Sequence, residues 1–405
     1  MVKVEILSGA KSIGGNFVKI EDRDRTLIFD QGIRFDIIKR FYSGFIAPRG
    51  LRELREIGAV PRAEWYEEAS AIYISHMHLD HLGLLSNIPC RVKVYLPSLN
   101  IYKFLEEKWC NSPTWLSMVP RKYYVELEEL KPLETDKNDV MPLPVSHSAH
   151  PAYAFLYFGS DETILYTGDF RVEGFLKGEE FVKAHGGISM FEYLSESRDI
   201  KVDKLIIEGT NLGSISAPIS PGEEEAILKR IFDAHTLIVA TMHPLDLEYA
   251  LLLSRLSFQT GKSMYIASEA VSKLMEVVAG IQAEPKVVID YVKTLSNFET
   301  VSLENIEENS VLIASYHETV DVLRDLRDAH VLPRDSATVL SEPEPKIEEA
   351  QEYEVIANWF NNLNMQAYLM RVSGHYYPHE LKTVINIIKP KNVEFIHTRS
   401  LHPPS

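Results

Sequence analysis

The sequence predicts an α/β protein. Three observations point there. Short β-branched and aromatic runs, broken by Gly, Asp and Pro, fill the first third of the chain. From about residue 204 strands alternate strictly with helices. No apolar run reaches the length of a membrane span.

In chain order, VKVEIL at 2–7, NFVKI at 16–20 and TLIFD at 26–30 predict strands, as do AIYIS at 71–75, RVKVYLP at 91–97, YAFLYF at 153–158 and TILYTGDFR at 163–171. KLIIEGT, from residue 204, is a buried-type strand. PGEEEAILKRIFDAH then predicts a helix, with Ser220 as N-cap, Pro221 at its first position and acidic residues in the first turn. TLIVATM, SMYIA and SVLIAS predict strands, interleaved with helices in PLDLEYALLLSRLS, SEAVSKLMEVVAG and HETVDVLRDLRDAH. The charged stretch EPEPKIEEAQEYE at 342–354 leads into a solvated helix. AYLMRV, PHELKTVINIIKP and NVEFIHT close the chain as strand, helix, strand. Alternation of this kind implies βαβ units and a parallel sheet. The chain divides into an α/β body, a second α/β domain near 205–360 and a short return segment. It holds no internal repeat or low-complexity tract.

At 405 residues the chain is long enough for two or more domains. A composition of 45% hydrophobic and 25% charged residues is that of a soluble globular protein. The opening MVKVEILSGAKSIGGN has no signal-peptide core, and two cysteines, Cys90 and Cys110, make no disulfide framework, so a cytoplasmic location without a disulfide partner is expected. A formal net charge of −16 argues against a surface that grips nucleic acid everywhere, while leaving room for a local basic groove.

ISHMHLDHLG at 74–83 carries the chemistry. His76, His78, Asp80 and His81 fall within six residues, directly after an apolar strand. Imidazole and carboxylate are ligands for zinc and similar borderline metals. Four such groups exceed one open catalytic site, which takes three protein ligands and a water, so two cations fit better. Further ligands must come from the ends of other strands: His147 or His150 in VSHSAH, Asp169 in YTGDF and His397 in FIHT. A lone His at a strand end is more often a surface or core residue than a ligand.

These motifs resemble those of the metallo-β-lactamase superfamily and, within it, the β-CASP nucleases of the ribonuclease J type. HMHLDH matches the family's HxHxDH motif, HSAHPA the next motif and YTGDFR the motif of a bridging aspartate. LIFDQG resembles the early Asp motif, IIEGTN the acidic motif, and VSGHYYPHELKTVINIIKPKNVEFIHT the closing pair. The resemblance implies an αββα metallo-β-lactamase sandwich over 1–204 and 363–405, with an inserted β-CASP α/β domain of parallel sheet over 205–362. It implies a ligand set of His76, His78 and His147 for one Zn²⁺ and Asp80, His81 and His397 for another, with Asp169 bridging and Mn²⁺ as a substitute. It selects His147 over His150. Asp30 would orient a ligating histidine from outside the ligand shell. His375 would face the substrate, with Glu208 orienting it, and Asp80 would also orient the nucleophile. A His at position 397 is the family's mark of action on RNA. Thr398 stands where many relatives have Gly.

The implied activity is hydrolysis of single-stranded RNA, exo- or endonucleolytic, by a water activated between two zinc ions. Substrate contacts are expected from Ser373, from Arg171 beside the bridging Asp, and from IKRFYSGFIAPRGLRELR at 38–55. There Lys39, Arg40, Arg49, Arg52 and Arg55 mix with Phe41, Tyr42 and Phe45, a composition suited to phosphates and bases of a single strand, or equally to a loop with solvated arginines. Homodimerisation is left open. Two other readings compete: a hydrolase of DNA or of a small phosphodiester or ester on the same site, and a scaffold without activity, against which the full ligand set argues.

Overall fold

The computed structural model describes residues 1–42, 46–112, 115–118, 123–197, 199–213, 219–267, 271–272, 274–275, 306–341, 350–370 and 373–399. Phe45, most of the helix expected from SEAVSKLMEVVAG, and residues 342–349 of the charged stretch lie outside them. The chain forms two compact units. The first comprises Met1–Val172, His185–Ser216 and Gly374–Ser405; the second comprises Glu173–Ala184 and Ala217–Ser373.

The first unit holds two sheets. One has six strands in sequential order: β1 (Lys3–Ser8), β2 (Phe17–Asp22), β3 (Arg25–Phe29), β4 (Ala71–Tyr73), β5 (Lys93–Leu96) and β6 (Glu126–Glu129). β1, β2 and β3 pair antiparallel, and β3 to β6 pair parallel. The other sheet uses β7 (Val140–Pro144), β8 (Tyr153–Phe158), β9 (Thr163–Tyr166), β10 (Lys204–Glu208) and a final strand, Asn392–Ile396, in the order final strand, β10, β9, β8, β7.

Alternation along the strands decides how these sheets bury themselves. On β8, Tyr153, Phe155 and Tyr157 join Val18, Ile20, Leu27, Phe29 and Tyr73 of the first sheet in one core. Phe29 and Phe155 lie 5.1 Å apart between ring centroids. The intervening Ala154 and Leu156 face the opposite way, into a second core with Met190 and Val384. Met190 opens a helix at Met190–Glu196, and Val384 lies in the helix Leu381–Ile388. A third cluster gathers Ile33, Ile38, Leu54 and Leu84. A helix α1 (Phe35–Phe41) supplies Ile38, and α2 (Leu51–Glu56) supplies Leu54.

The second unit is built on an all-parallel sheet in the order β12 (Ser263–Ile266), β13 (Ser310–Ala314), β11 (Leu237–Thr241), β14 (Ala337–Leu340), β15 (Gln366–Leu369). Its central strands are buried throughout, as expected of a parallel sheet. The helix Pro221–Ala234 begins where its sequence predicts: Ser220 Oγ accepts from Glu223 N at 3.3 Å and the Glu223 carboxylate accepts from Ser220 N at 2.9 Å. The next helix starts later than PLDLEYALLLSRLS suggests, at Leu247, because the Asp246 side chain accepts from Tyr249 N and caps it there.

The junction strands sort by pairing. KLIIE of β10 pairs with β9 and Asn392–Ile396, so it belongs to the first unit, while β15 pairs with β14 in the second. The alternating pattern continues across both junctions, so only the hydrogen-bonded neighbour distinguishes them. No helix among the described residues is long and apolar enough to cross a membrane.

Candidate metal centre

The site lies in the first unit, where several strands end at one edge of the paired sheets. β3 and β4 run parallel, and β9, β10 and the final strand run parallel. β7 and β9 both oppose β8 and so share a direction. Each strand delivers a side chain just beyond, or at, its C-terminal end: Asp30 after β3, the 76–81 turn after β4, His147 after β7, Asp169 after β9, Glu208 ending β10 and His397 after Ile396. Strand carboxyl ends are the usual place for ligands in such sheets.

Sharp turns aim these side chains. Asp30 and His397 both take left-handed backbone, at φ 59° and 55°, unusual outside glycine. TILYTGDFR, expected as one strand, stops at Tyr166 because Gly168 turns the chain at φ +54. A Cβ on Gly168 would sit 2.8 Å from Ser75 Cβ, so only glycine lets Asp169 approach the His76 strand end. At Gly374 a Cβ would meet Ser148 Oγ at 2.4 Å and His147 Cε1 at 3.1 Å.

The gathered groups form overlapping sets whose donor atoms all lie within 4.8 Å of one another: His76, His78, His147; His76, His81, Asp169; Asp80, His81, His397; and Asp169, Glu208, His375. His147 Nε2 lies 3.3 Å from His78 Nδ1. Asp169 is central: Oδ2 is 3.0 Å from His81 Nε2, 3.9 Å from His76 Nε2 and 3.7 Å from His375 Nδ1, and Oδ1 is 3.7 Å from His397 Nδ1. Asp80 Oδ2 lies 3.8 Å from His397 Nε2.

Other hydrogen bonds hold the rings. Asp30 Oδ1 accepts from Ser75 N at 2.7 Å, while Oδ2 faces His81 Nδ1 at 2.7 Å and accepts from Ser75 Oγ at 2.9 Å and Tyr166 Oη at 2.5 Å. Asp30 thus reaches the cluster directly through His81 and Ser75. His147 Nδ1 faces the Gly374 carbonyl at 2.6 Å. Those Nδ1 contacts leave Nε2 of each ring as the lone-pair nitrogen.

The residues present fit a cation. Nε2 of His76 and Oδ1 of Asp169 are buried with no hydrogen-bond partner, an expensive arrangement unless a metal takes them. His81 Nε2 sits 3.0 Å from Asp169 Oδ2 without hydrogen-bond geometry, so the two atoms converge on a shared point. Burial, reinforced by neighbouring imidazoles, holds His76 and His147 well below the ordinary histidine value, which keeps them neutral and basic. Burial opposes charge on His81, but Asp169 and Asp30 overcome it and raise its value well above the ordinary one. Burial raises the Asp169 carboxyl against the pull of His81 and His375. Neutral imidazole nitrogens and carboxylate oxygens are a donor set for zinc, manganese and similar divalent ions.

The remaining expected residues fall in four places. Glu208, fully buried, holds His375 Nδ1 at 3.1 Å, and Asn211 Nδ2 donates to the His375 and Tyr376 carbonyls. Arg171 is buried, bonds Ser146 O through its backbone at 2.7 Å, and its charge helps depress His147. Ser373 is buried at the end of the second unit. Arg40 and Phe41 lie exposed on α1, with Arg40 3.9 Å from Asp36. His150 packs on His185 at 4.9 Å instead of joining the cluster. Ser75, Tyr166 and Asn16, which hold the clustered rings, were not among the expected residues; Ser75 and Tyr166 lie inside the quoted motifs, and Asn16 in GGNF carries no signal of its own.

Sequence comparison matches this chain to curated proteins. Two of these relatives are ribonucleases J. One, from Mycoplasma genitalium, is 23% identical over 98% of this chain and 67% of its own length. The other, from Pyrococcus abyssi, is 30% identical over 104 residues, which is 25% of this chain and 22% of the relative. No family model matches. Among solved structures, a protein of unknown function from Enterococcus faecalis V583 superposes with TM-score 0.69 at 19% identity, covering 99% of this chain and 96% of that one. That likeness shows the fold alone. Similarity to ribonuclease J accords with a nuclease, and with the mixed α/β architecture.

Proposed function

We propose that this chain is a metallo-β-lactamase-fold ribonuclease of the β-CASP, ribonuclease J type. Its first unit is the catalytic sandwich, its second the inserted domain, and its substrate is single-stranded RNA in the cytoplasm. One observation carries the reading: two three-residue donor sets, His76–His78–His147 and Asp80–His81–His397, flank the buried Asp169. A pair of Zn²⁺ ions, or Mn²⁺ in their place, would supply Lewis acidity, lowering the pKa of a bound water toward neutrality and stabilising charge on phosphate oxygens.

The chain's own residues do the rest. His76, His78 and His147 would hold one cation and Asp80, His81 and His397 the other, with the Asp169 carboxylate lying between the two sets. Asp80, partly exposed among these groups, orients the attacking water by accepting its proton. His375 Nδ1, 3.1 Å from Glu208 Oε1, donates to that carboxylate, which fixes the ring and makes Nε2 the nitrogen that exchanges a proton with the leaving oxygen.

The test uses purified protein with end-labelled single-stranded RNA and the matched DNA, each with 5′-monophosphate or 5′-hydroxyl ends, with and without chelator. Chelator-sensitive cleavage of RNA in preference to DNA is expected. A protein that retains metal yet cleaves neither polymer would point instead to a small phosphodiester or ester substrate.

A further inference from the structure

Beneath the candidate centre one line of hydrogen bonds joins the rings of His81 and His397. His81 Nδ1 lies 2.7 Å from Asp30 Oδ2, and Tyr166 Oη donates to that same oxygen at 2.5 Å. Asn16 Nδ2 donates to Tyr166 Oη at 3.2 Å, and Asn16 Oδ1 lies 3.1 Å from His397 Nδ1. All five side chains are buried.

Proton placement along this line is determined from one end. Asp30 accepts from Ser75 N, Ser75 Oγ and Tyr166 Oη, and His81 Nδ1 completes this ring of donors around its carboxyl group. Tyr166 has then used its one proton and must accept from the Asn16 amide. That orients Asn16 so that its oxygen faces His397, which must donate from Nδ1. Gly14 N, 3.3 Å from His397 Nδ1, would favour the opposite tautomer, but that would set Asn16 Oδ1 against a second lone pair. Both rings therefore end with Nδ1 protonated and Nε2 basic. The His76–His78–His147 set is held differently, through Ser75 Oγ and the Gly374 carbonyl.

We infer that Tyr166 and Asn16 are positioning residues that relay the donor demand of Asp30 to His397, setting its tautomer to match the one Asp30 imposes on His81, and so govern the affinity of the Asp80–His81–His397 set for its cation without touching it. The inference rests on the proposed metal centre and extends it, since it makes two neighbouring cations separately tunable.

Zn²⁺ titration of metal-stripped protein by calorimetry, with elemental analysis after dialysis, separates the possibilities. The wild type is expected to take up two ions. Tyr166→Phe and Asn16→Leu should keep one at wild-type affinity and weaken the other about 10–100-fold, the usual effect of removing a partner behind a ligating histidine. Two ions bound at unchanged affinity by both Tyr166→Phe and Asn16→Leu would overturn the inference and leave the metal centre standing. A wild type that takes up no ion would overturn both. Should those variants fail to fold by circular dichroism, ¹⁵N-histidine NMR of metal-stripped wild type decides: protonated Nδ1 in both His81 and His397 supports the inference, and an unprotonated Nδ1 in either overturns it.

Discussion

Asp169 is 2% exposed, yet its carboxylate lies within 4 Å of nitrogen atoms from four histidines that come from three separate parts of the chain. A buried carboxylate so placed must be neutralised by protons or cations, because its desolvation cost is otherwise large. His375 is different. It is 18% exposed and its nearest carboxylate is Glu208, 3.1 Å away, so it sits at the rim of the cluster. The two residues should fail in distinct ways. Replacing Asp169 by Asn should strip bound metal and activity together. His375→Ala should leave metal content unchanged and lower kcat about 10²–10⁴-fold, the usual contribution of a positioned proton donor. Elemental analysis beside steady-state kinetics checks both, and a His375→Ala protein lacking metal would show that the ring is a ligand.

Among elements, strand ends divide the work. One edge of the paired sheets carries the cluster; the opposite edge is fastened by polar contacts. Asp22, ending β2, accepts from Tyr157 Oη at 2.8 Å, Ser160 N at 2.7 Å and Ser160 Oγ at 2.5 Å, tying the first sheet to the end of β8 in the second. Burial alone would raise its carboxyl, but these donors hold it below the ordinary value of 3.8. A depressed folded value means the tie is fully present above the unfolded value and is lost as pH falls through the folded one. Urea unfolding of wild type and Asp22→Asn should therefore show a constant stability difference from neutrality down to about pH 5, closing as the pH drops below about 4. A gap that stays open into strong acid would mean that the charge is not what Asp22 contributes. Much at this scale was legible in the chain. Ser220, Pro221 and Glu223 announce their helix because a cap is local chemistry. TILYTGDFR gave a strand too long by several residues, because the turn at Gly168 is set by the close approach of Ser75 rather than by strand propensity.

For the whole molecule, metal binding and folding are linked. Cations that bind the native cluster and not the unfolded chain stabilise by RT ln(1 + [L]/Kd), about 2.7 kcal/mol at a hundredfold excess over Kd. Thermal unfolding should shift upward with Zn²⁺, return with chelator, and stay unmoved in Asp169→Asn. An equal Zn²⁺ response in that variant would place the stabilising ion elsewhere.

By itself the sequence determined what is local or periodic: the α/β class, most strands and helices, and the run His76–His81, whose density of ligand side chains within one turn has few purely structural uses. Only the tertiary structure decided which distant residues meet it. His147 rather than His150 joins the cluster, Glu208 faces His375, and Asn16 and Tyr166 bind His81 to His397. Those contacts span up to 381 positions in the chain. They depend on two sheets burying their inner faces against each other and so bringing strand ends to a common edge, a relation that no window of sequence contains.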